Sequence, residues 1–257
     1  MNEMASAFDA GASSFERYRA LPDDVPEAVR SAIHGAVHLS LPARVLDLGA
    51  GTGRMGRIFA QAGDLYCGLD ASLGMLQEFR RSTSDGFLVQ ADGRQLPFHD
   101  HVFDIVLLMH VLSGAENFTG IIHEARRVCN SKGAVVVGYT GRPESGMDAQ
   151  LKQQLKLILQ QLGIAWPQSQ KSYAKALLSL QEMTRRHVHL KAASWNVETA
   201  PQDFLLRHRS GARFATLPAA IQEQTLQQLT TWAEKRFGAL DRSFEEQRSF
   251  ELDIFEF

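Results

Sequence analysis

The sequence predicts an α/β fold: a seven-stranded, mostly parallel sheet with helices on both faces and an inserted helical cap. Three observations carry that expectation. Short apolar runs alternate with amphipathic stretches between residues 44 and 139, and the first of these runs passes through a glycine-rich turn into a helix. The chain of 257 residues, 44% of them hydrophobic, is also long enough to bury one substantial core with an added subdomain.

Pro26 to Val37 has helical apolar spacing and leads into Arg44-Val45-Leu46-Asp47-Leu48, a run bounded by Pro42 and Gly49 that has the character of a buried strand. The spacing then predicts a helix over 54–62, a strand over 65–69, a helix over 73–81 and strands over 87–90 and 103–109. A helix over 116–128 follows, then the turn Asn130-Ser131-Lys132-Gly133 and a strand over 134–139. This alternation is that of a parallel sheet buried on both sides. After Gly141 it stops, and the stretches 148–162 and 172–185 are expected to be helices outside it. A strand over 187–192, helices over 201–209 and 218–237 and a last strand over 249–257 complete the chain. In that last strand Phe250, Leu252 and Ile254 share one face while Glu251 and Asp253 share the other. The expected organisation is a single domain, 1–257. Its Rossmann-like core spans about 30–141 and is completed by strands near 187–193 and 249–257, with cap segments at about 144–186 and 200–245.

Twenty-seven basic and twenty-nine acidic residues give a net charge of -2, so no global field favours phosphate backbones or anionic lipid. Neither nucleic acid nor membrane is expected as a partner. No run approaches the length of a membrane span, and Met1 to Ser14 lacks the apolar core of a targeting segment, so a cytoplasmic protein is expected. Cys67 and Cys129 stand alone. The pair His187 and His189 points to one face of a strand with no third ligand in view, so no metal site is expected.

The chemistry is concentrated in Val45-Leu46-Asp47-Leu48-Gly49-Ala50-Gly51-Thr52-Gly53-Arg54-Met55-Gly56. Glycines let a backbone pass close beneath a ligand, and a helix N-terminus offers free N–H groups. Gly51, Gly53 and Gly56 satisfy the dinucleotide-binding pattern, and Asp70 stands at the end of the next strand, the place of a ribose-binding acid. Asp47 argues against a dinucleotide, because a carboxylate at the strand mouth would meet the pyrophosphate as a like charge. S-adenosylmethionine carries an ammonium and a sulfonium in its place. Asp92, after the third strand, can accept a hydrogen bond from an adenine amine.

These segments, VLDLGAGTGRMG, GLDAS, QADGRQLPF and HVFDIVLLMHVL, resemble the motif series of class I S-adenosylmethionine-dependent methyltransferases. The nearest branch is the small-molecule one that includes ubiquinone/menaquinone methyltransferase-like proteins. The resemblance covers residues 45–139. It implies S-adenosyl-L-methionine as cofactor and a small-molecule acceptor methylated on O, N or C. It also implies that Asp47, Gly49, Ala50, Gly51 and Gly53 line the methionine portion, that Asp70 and Ala71 hold the ribose, and that Asp92 and Gly93 hold the adenine. Met75 would pack near the adenine or ribose. Met109 and His110 match the position facing the methyl group, where many relatives carry an acid or amide in place of His110.

Blander readings stand beside these. The glycines could form a turn with no ligand, Met75 and Met109 could be core residues, and His110 could be a satisfied polar residue with no part in chemistry. Arg17 and Arg19 could close over the cofactor carboxylate or lie on an exposed helix face, and Arg207, Arg209 and Arg213 have the character of a solvated basic patch. An acceptor would rest between the sheet and the cap helices, walled by Trp166, Tyr173 and Phe214, with Arg213 as an anchor. A cofactor-binding protein without turnover, a different S-adenosylmethionine-using reaction and a nicotinamide oxidoreductase are the alternatives.

Overall fold

The computed structural model describes residues 8, 9, 12, 15, 19–37, 39, 41–112, 118–164, 169–209 and 211–257, the side chains of 169–172 and 212 excepted. By its internal contacts the chain divides into two compact units. The sheet unit comprises Leu21–Thr140, Gln168–Ala193 and Phe250–Phe257; the helical unit comprises Met1–Ala20, Gly141–Pro167 and Ser194–Ser249.

The sheet unit opens with α1 (Val25–Ala36), whose buried Val25, Val29 and Ile33 recur at the four-residue spacing of one helix face. Then follow β1 (Arg44–Leu48), α2 (Arg57–Gln61), β2 (Leu65–Asp70), α3 (Leu73–Ser82), β3 (Phe87–Gln90), β4 (Phe103–Met109), α4 (Phe118–Val128) and β5 (Cys129–Gly141). Strands β1, β2, β3, β4 and β5 pair in parallel wherever they are neighbours. The full sheet has seven strands in the order β3-β2-β1-β4-β5-β7-β6, with β6 at Arg186–Thr199 and β7 at Phe244–Glu256. The predicted fold class is therefore the observed one. The chain leaves β1 toward β2 on one side and later returns as β4 on the other, so β1 and β4 flank the switch point at which open α/β sheets bind ligands. The core of this unit joins Leu46, Leu48, Leu69, Val106, Leu108, Val135 and Val137 of the strands to Ile122 of α4.

The helical unit contains α5 (Met147–Gln161), α7 (Pro201–Arg209), α8 (Ala212–Ala215) and α9 (Ala219–Phe237). Leu151, Leu155 and Leu159 of α5, Phe204 of α7 and Leu229, Ala233 and Phe237 of α9 form its separate core. Among the described residues no helix is long and apolar enough to cross a membrane.

Three differences from the expected elements have physical causes. The segment 144–186 does not stay together: α5 lies in the helical unit, whereas α6 (Ser169–Gln181) buries Ala176 and Leu180 in the core of the sheet unit. The turn expected at 130–133 is an irregularity inside β5. Phe103 pairs with Cys129 and Ile105 with Ala134, so the intervening residues bulge, tied by Asn130 Nδ2 to Asp104 Oδ1 at 2.5 Å. Finally, β6 and β7 each run several residues beyond the expected strand into the helical unit, where Asn196 donates to Glu245 and Ser243 to Glu198.

Candidate functional site

Strand β1 ends where the backbone must turn sharply. Gly49, Gly51 and Gly53 all have positive φ, at 83°, 57° and 82°, a region that side chains with a Cβ rarely adopt. Space around them differs in an informative way. A Cβ on Gly49 would meet Val111 Cγ2 at 2.6 Å, and one on Gly53 would meet the Phe79 ring at 2.4 Å, so both glycines are needed for packing. Among the described residues a Cβ on Gly51 would meet nothing within 4 Å. The tip of the turn therefore faces open space, while its two shoulders are pressed against the loop after β4 and against α3. The turn is pinned by Gly49 N and Ala50 N, which both donate to Leu69 O, at 2.7 and 3.0 Å, and by Gly53 N donating to Ala50 O at 3.0 Å.

Asp70, half-buried at the end of β2, meets this turn. Its Oδ2 accepts from Gly51 N and its Oδ1 from Ser72 N, both at 2.9 Å. One carboxylate thus joins the tip of the glycine turn to the start of α3, where Ser72 Oγ caps the helix by accepting from Met75 N at 3.1 Å. Ala71 is exposed beside it, its carbonyl accepting from Gln90 Nε2.

Asp47 takes a different position from the strand mouth that the sequence suggests. It is 1% exposed and lies beneath the turn, where Tyr66 OH donates to its Oδ2 at 2.8 Å and a Cβ on Gly56 would come within 2.7 Å of the same oxygen. Gly68 stands opposite Asp47 in the β1/β2 register, and its lack of a side chain makes room for the Tyr66 hydroxyl. Burial pushes the Asp47 carboxyl up to about 7; the Tyr66 hydrogen bond offsets part of this and the nearby Asp70 charge adds to it. Its Oδ1 has no hydrogen-bond partner among the described residues.

The other anticipated residues divide. Asp92 is exposed and its carboxylate is engaged by Arg94, whose backbone N, Nε and Nη2 donate at 2.5–3.1 Å and hold it below the usual carboxylate range. Gly93 allows a close approach to Leu48, whose Cδ2 would lie 2.7 Å from an added Cβ. Met75 is 2% exposed. Met109 is 7% exposed, with its sulfur over Gly138 beside Phe250 and Leu252, which is a packing role. His110 adopts φ 61°, rare for a residue with a side chain, while its N–H still donates to Gly138 O at 2.8 Å. Its Nε2 lies 3.4 Å from Thr140 Oγ1 and the ring stands edge-on to Phe250, 5.6 Å between centroids.

Arg19 lies in the helical unit, donating Nη2 to Arg207 O at 2.7 Å and stacking over Phe15 at 4.6 Å. Arg17 and Trp166 fall outside the described residues. Arg207 is not part of a solvated patch; it is 8% exposed and bound to Asp148. The pair His187 and His189 both meet Asp253 Oδ1, at 2.9 and 3.1 Å, so a carboxylate from β7 answers the pair that the sequence left alone. Sequence reasoning missed Tyr66 and Arg94. The second was within reach, since an Asp followed two residues later by a donor is a common local turn; the first depends on cross-strand register.

Residues 46–137 match the family model described as a methyltransferase domain. The chain is 31% identical over 147 residues to a demethylmenaquinone methyltransferase of Streptomyces griseus, an alignment covering 55% of this chain and 62% of that protein. It is 28% identical over 134 residues to a malonyl-[acyl-carrier protein] O-methyltransferase of Buchnera aphidicola, covering 52% and 53%. The chain thus spans less than two thirds of the length of each. A solved S-adenosylmethionine-dependent methyltransferase from Thermotoga maritima superposes with a TM-score of 0.53 at 13% identity, covering 98% of this chain and 99% of that one, a likeness of fold. The matched residues contain the glycine turn, Asp70, Asp92 and His110, and include none of the helical unit.

Proposed function

We propose that the protein is an S-adenosyl-L-methionine-dependent methyltransferase acting on a small molecule. One observation carries the reading: the open tip of the turn at Gly51, held by the Asp70 carboxylate inside a methyltransferase domain. Side-chain-free backbone with space above it is what a bulky nucleoside cofactor requires, and an acid at the second strand end suits ribose hydroxyls.

The residues fit the cofactor in a further respect. Asp47 Oδ1 is buried without a partner, and an ammonium or a bridging water would supply the donor it lacks. In this reading Gly49, Ala50, Gly51 and Gly53 hold the methionine portion with Asp47 beneath them, Asp70 and Ala71 hold the ribose, and Asp92 and Gly93 flank the adenine. Asp92 would share its carboxylate with Arg94. Met75 and Met109 support the site as packed side chains.

When bound, S-adenosylmethionine supplies a methyl group already activated for displacement, so the protein has chiefly to orient an acceptor. His110 is the residue for an acceptor proton: it follows the carboxyl end of β4, and Thr140 within reach of Nε2 can fix its orientation. The test is calorimetry with S-adenosylhomocysteine. Asp70→Ala is expected to weaken binding by roughly 2–4 kcal/mol, the scale of two charge-assisted hydrogen bonds. Asp70→Asn, which keeps one acceptor for the turn, controls for loss of structure. Unchanged affinity in both would remove the site. Transfer of labelled methyl to members of a metabolite library then identifies the acceptor, and His110→Ala should lower kcat without altering cofactor affinity.

A further inference from the structure

One cluster in the helical unit gathers more cations than acids. Asp148, 2% exposed in the first turn of α5, is met by three guanidinium groups. Arg207 Nη2 donates to both carboxylate oxygens at 2.8 and 2.7 Å, Arg142 Nε lies 3.4 Å from Oδ2 and Arg248 Nη2 3.6 Å from it. The second acid, Glu246, is 4% exposed and uses Oε1 to accept from Asp148 N at 3.1 Å. Its Oε2 is 3.6 Å from Arg248 Nη2, too far for a hydrogen bond.

Three guanidinium charges therefore share two carboxylates, and Arg248 Nε, Arg248 Nη2 and Glu246 Oε2 have no hydrogen-bond partner among the described residues. Such groups are costly in an interior. Burial and the like charges of Arg207 and Arg248 push Arg142 down to about 10 against the opposing pull of Asp148 and Glu246.

A cavity of about 480 Å³ adjoins the cluster, with Glu246 in its wall. Met147, Phe237 and Phe244 give it apolar sides, and Arg236, Arg242 and Gln150 line it as well, together with Glu245, whose Oε1 is taken by Asn196 Nδ2 at 2.9 Å. Each phenyl ring has a guanidinium against it, Arg236 at 5.9 Å from the centroid of Phe237 and Arg242 at 5.3 Å from that of Phe244. Arg236 is steadied by donating Nε to Gln150 Oε1 at 2.9 Å, and Arg242 by donating Nη1 to Phe237 O at 3.4 Å. Flat apolar walls edged by oriented guanidinium forks match a planar body that carries a carboxylate or phosphate.

We infer that the helical unit binds a small molecule with a planar apolar body and one oxyanion in the cavity walled by Met147, Phe237 and Phe244, anchored by Arg236 and Arg242. The site is independent of the methyl-transfer reading, because every residue in it lies in the helical unit.

The test uses the full chain with 2-naphthoate, 2-naphthyl phosphate and 2-naphthamide as probes, by calorimetry with and without saturating S-adenosylhomocysteine. Trp232, whose ring lies 5.7 Å from that of Phe237, gives a second readout through its emission, with Trp232→Phe as the control. At least one anionic probe should bind about tenfold or more tightly than the amide, regardless of S-adenosylhomocysteine, and the Trp232→Phe variant should lose the optical signal. The exposed pair Arg236→Gln and Arg242→Gln, combined, should weaken the anion about tenfold or more at an unchanged Tm. Equal binding of acid and amide, full affinity in the double variant, displacement of the probe by S-adenosylhomocysteine, or no binding of any probe at millimolar concentration would each overturn the proposal.

Discussion

The two units bury a carboxylate in opposite ways. Asp47 in the sheet unit and Asp148 in the helical unit are 1% and 2% exposed, so each loses nearly all its hydration. Asp47 receives one neutral hydroxyl in exchange, and burial prevails: its carboxyl rises to about 7. Asp148 receives three arginines, Arg207 foremost, and their charges outweigh burial and hold it below the ordinary carboxylate range. The lesson is that depth alone does not set the charge of a buried acid; the partner does. One unit stores an acid that resists ionising, while the other stores a fixed anion within a surplus of cations.

The same substitution should therefore act with opposite sign in the two places. Asp148→Asn at pH 7 leaves Arg142, Arg207 and Arg248 with Glu246 alone, and breaking a buried pair of this kind costs about 3–5 kcal/mol. Urea denaturation checks it, and a loss below about 1 kcal/mol would mean that the arginines behave as solvated surface groups.

Asp47→Asn should not carry that cost, and at pH 8 the variant should be at least as stable as the parent. The native Asp47 binds its proton more tightly than the unfolded chain does, so its contribution is complete below about pH 4 and is lost as pH rises to about 7. The difference of about three pH units corresponds to roughly 4 kcal/mol at most. His208 in the helical unit works the other way. Burial lowers it to about 4, so it costs stability as pH falls below its ordinary value. The Asp47 slope is therefore obtained as the difference between parent and variant across pH 4–8, in which His208 cancels. Parallel stability curves would show that Asp47 is ionised in the native protein throughout.

The comparison also explains which parts of the molecule were legible in the sequence. In the sheet unit burial is achieved with apolar side chains, so periodicity found every strand, and β3 and β4 to their end residues. In the helical unit the buried face of β7 at 244–249 carries Glu246 and Arg248, and a hydrophobic pattern has nothing to report there. The extension of β6 was accessible, since Trp195 and Val197 alternate with Asn196 and Glu198. Of the site, the glycine turn and Asp70 were legible because local chain geometry demands them. The burial of Asp47 depends on Tyr66 and Gly68 in the neighbouring strand, and the arginine cluster joins residues 142, 148, 207, 246 and 248, so neither has a local spacing to betray it.

The smallest effect sharpens the comparison most, because it changes the one side-chain hydrogen-bond partner Asp47 has among the described residues. Tyr66→Phe removes the hydroxyl that donates to Asp47 Oδ2 and leaves the ring, which packs against Phe79 at 5.8 Å, in place. Without that donor the ionised carboxyl loses its remaining support, so its pKa should rise above about 7. The cost should be about 1–2 kcal/mol at pH 8, the range of a hydrogen bond to a charged acceptor, and smaller at pH 5, where the acid is already neutral. The variant's stability should thus fall more steeply between pH 5 and 8 than the parent's. Placed on the Asp47→Asn background, the same change should lose that pH dependence, and the double-mutant cycle gives the coupling of hydroxyl to carboxylate directly. If Tyr66→Phe costs the same at both pH values and on both backgrounds, the hydroxyl acts only by filling the space beside Gly56 and Gly68, and Asp47 must owe its charge state to a group other than Tyr66.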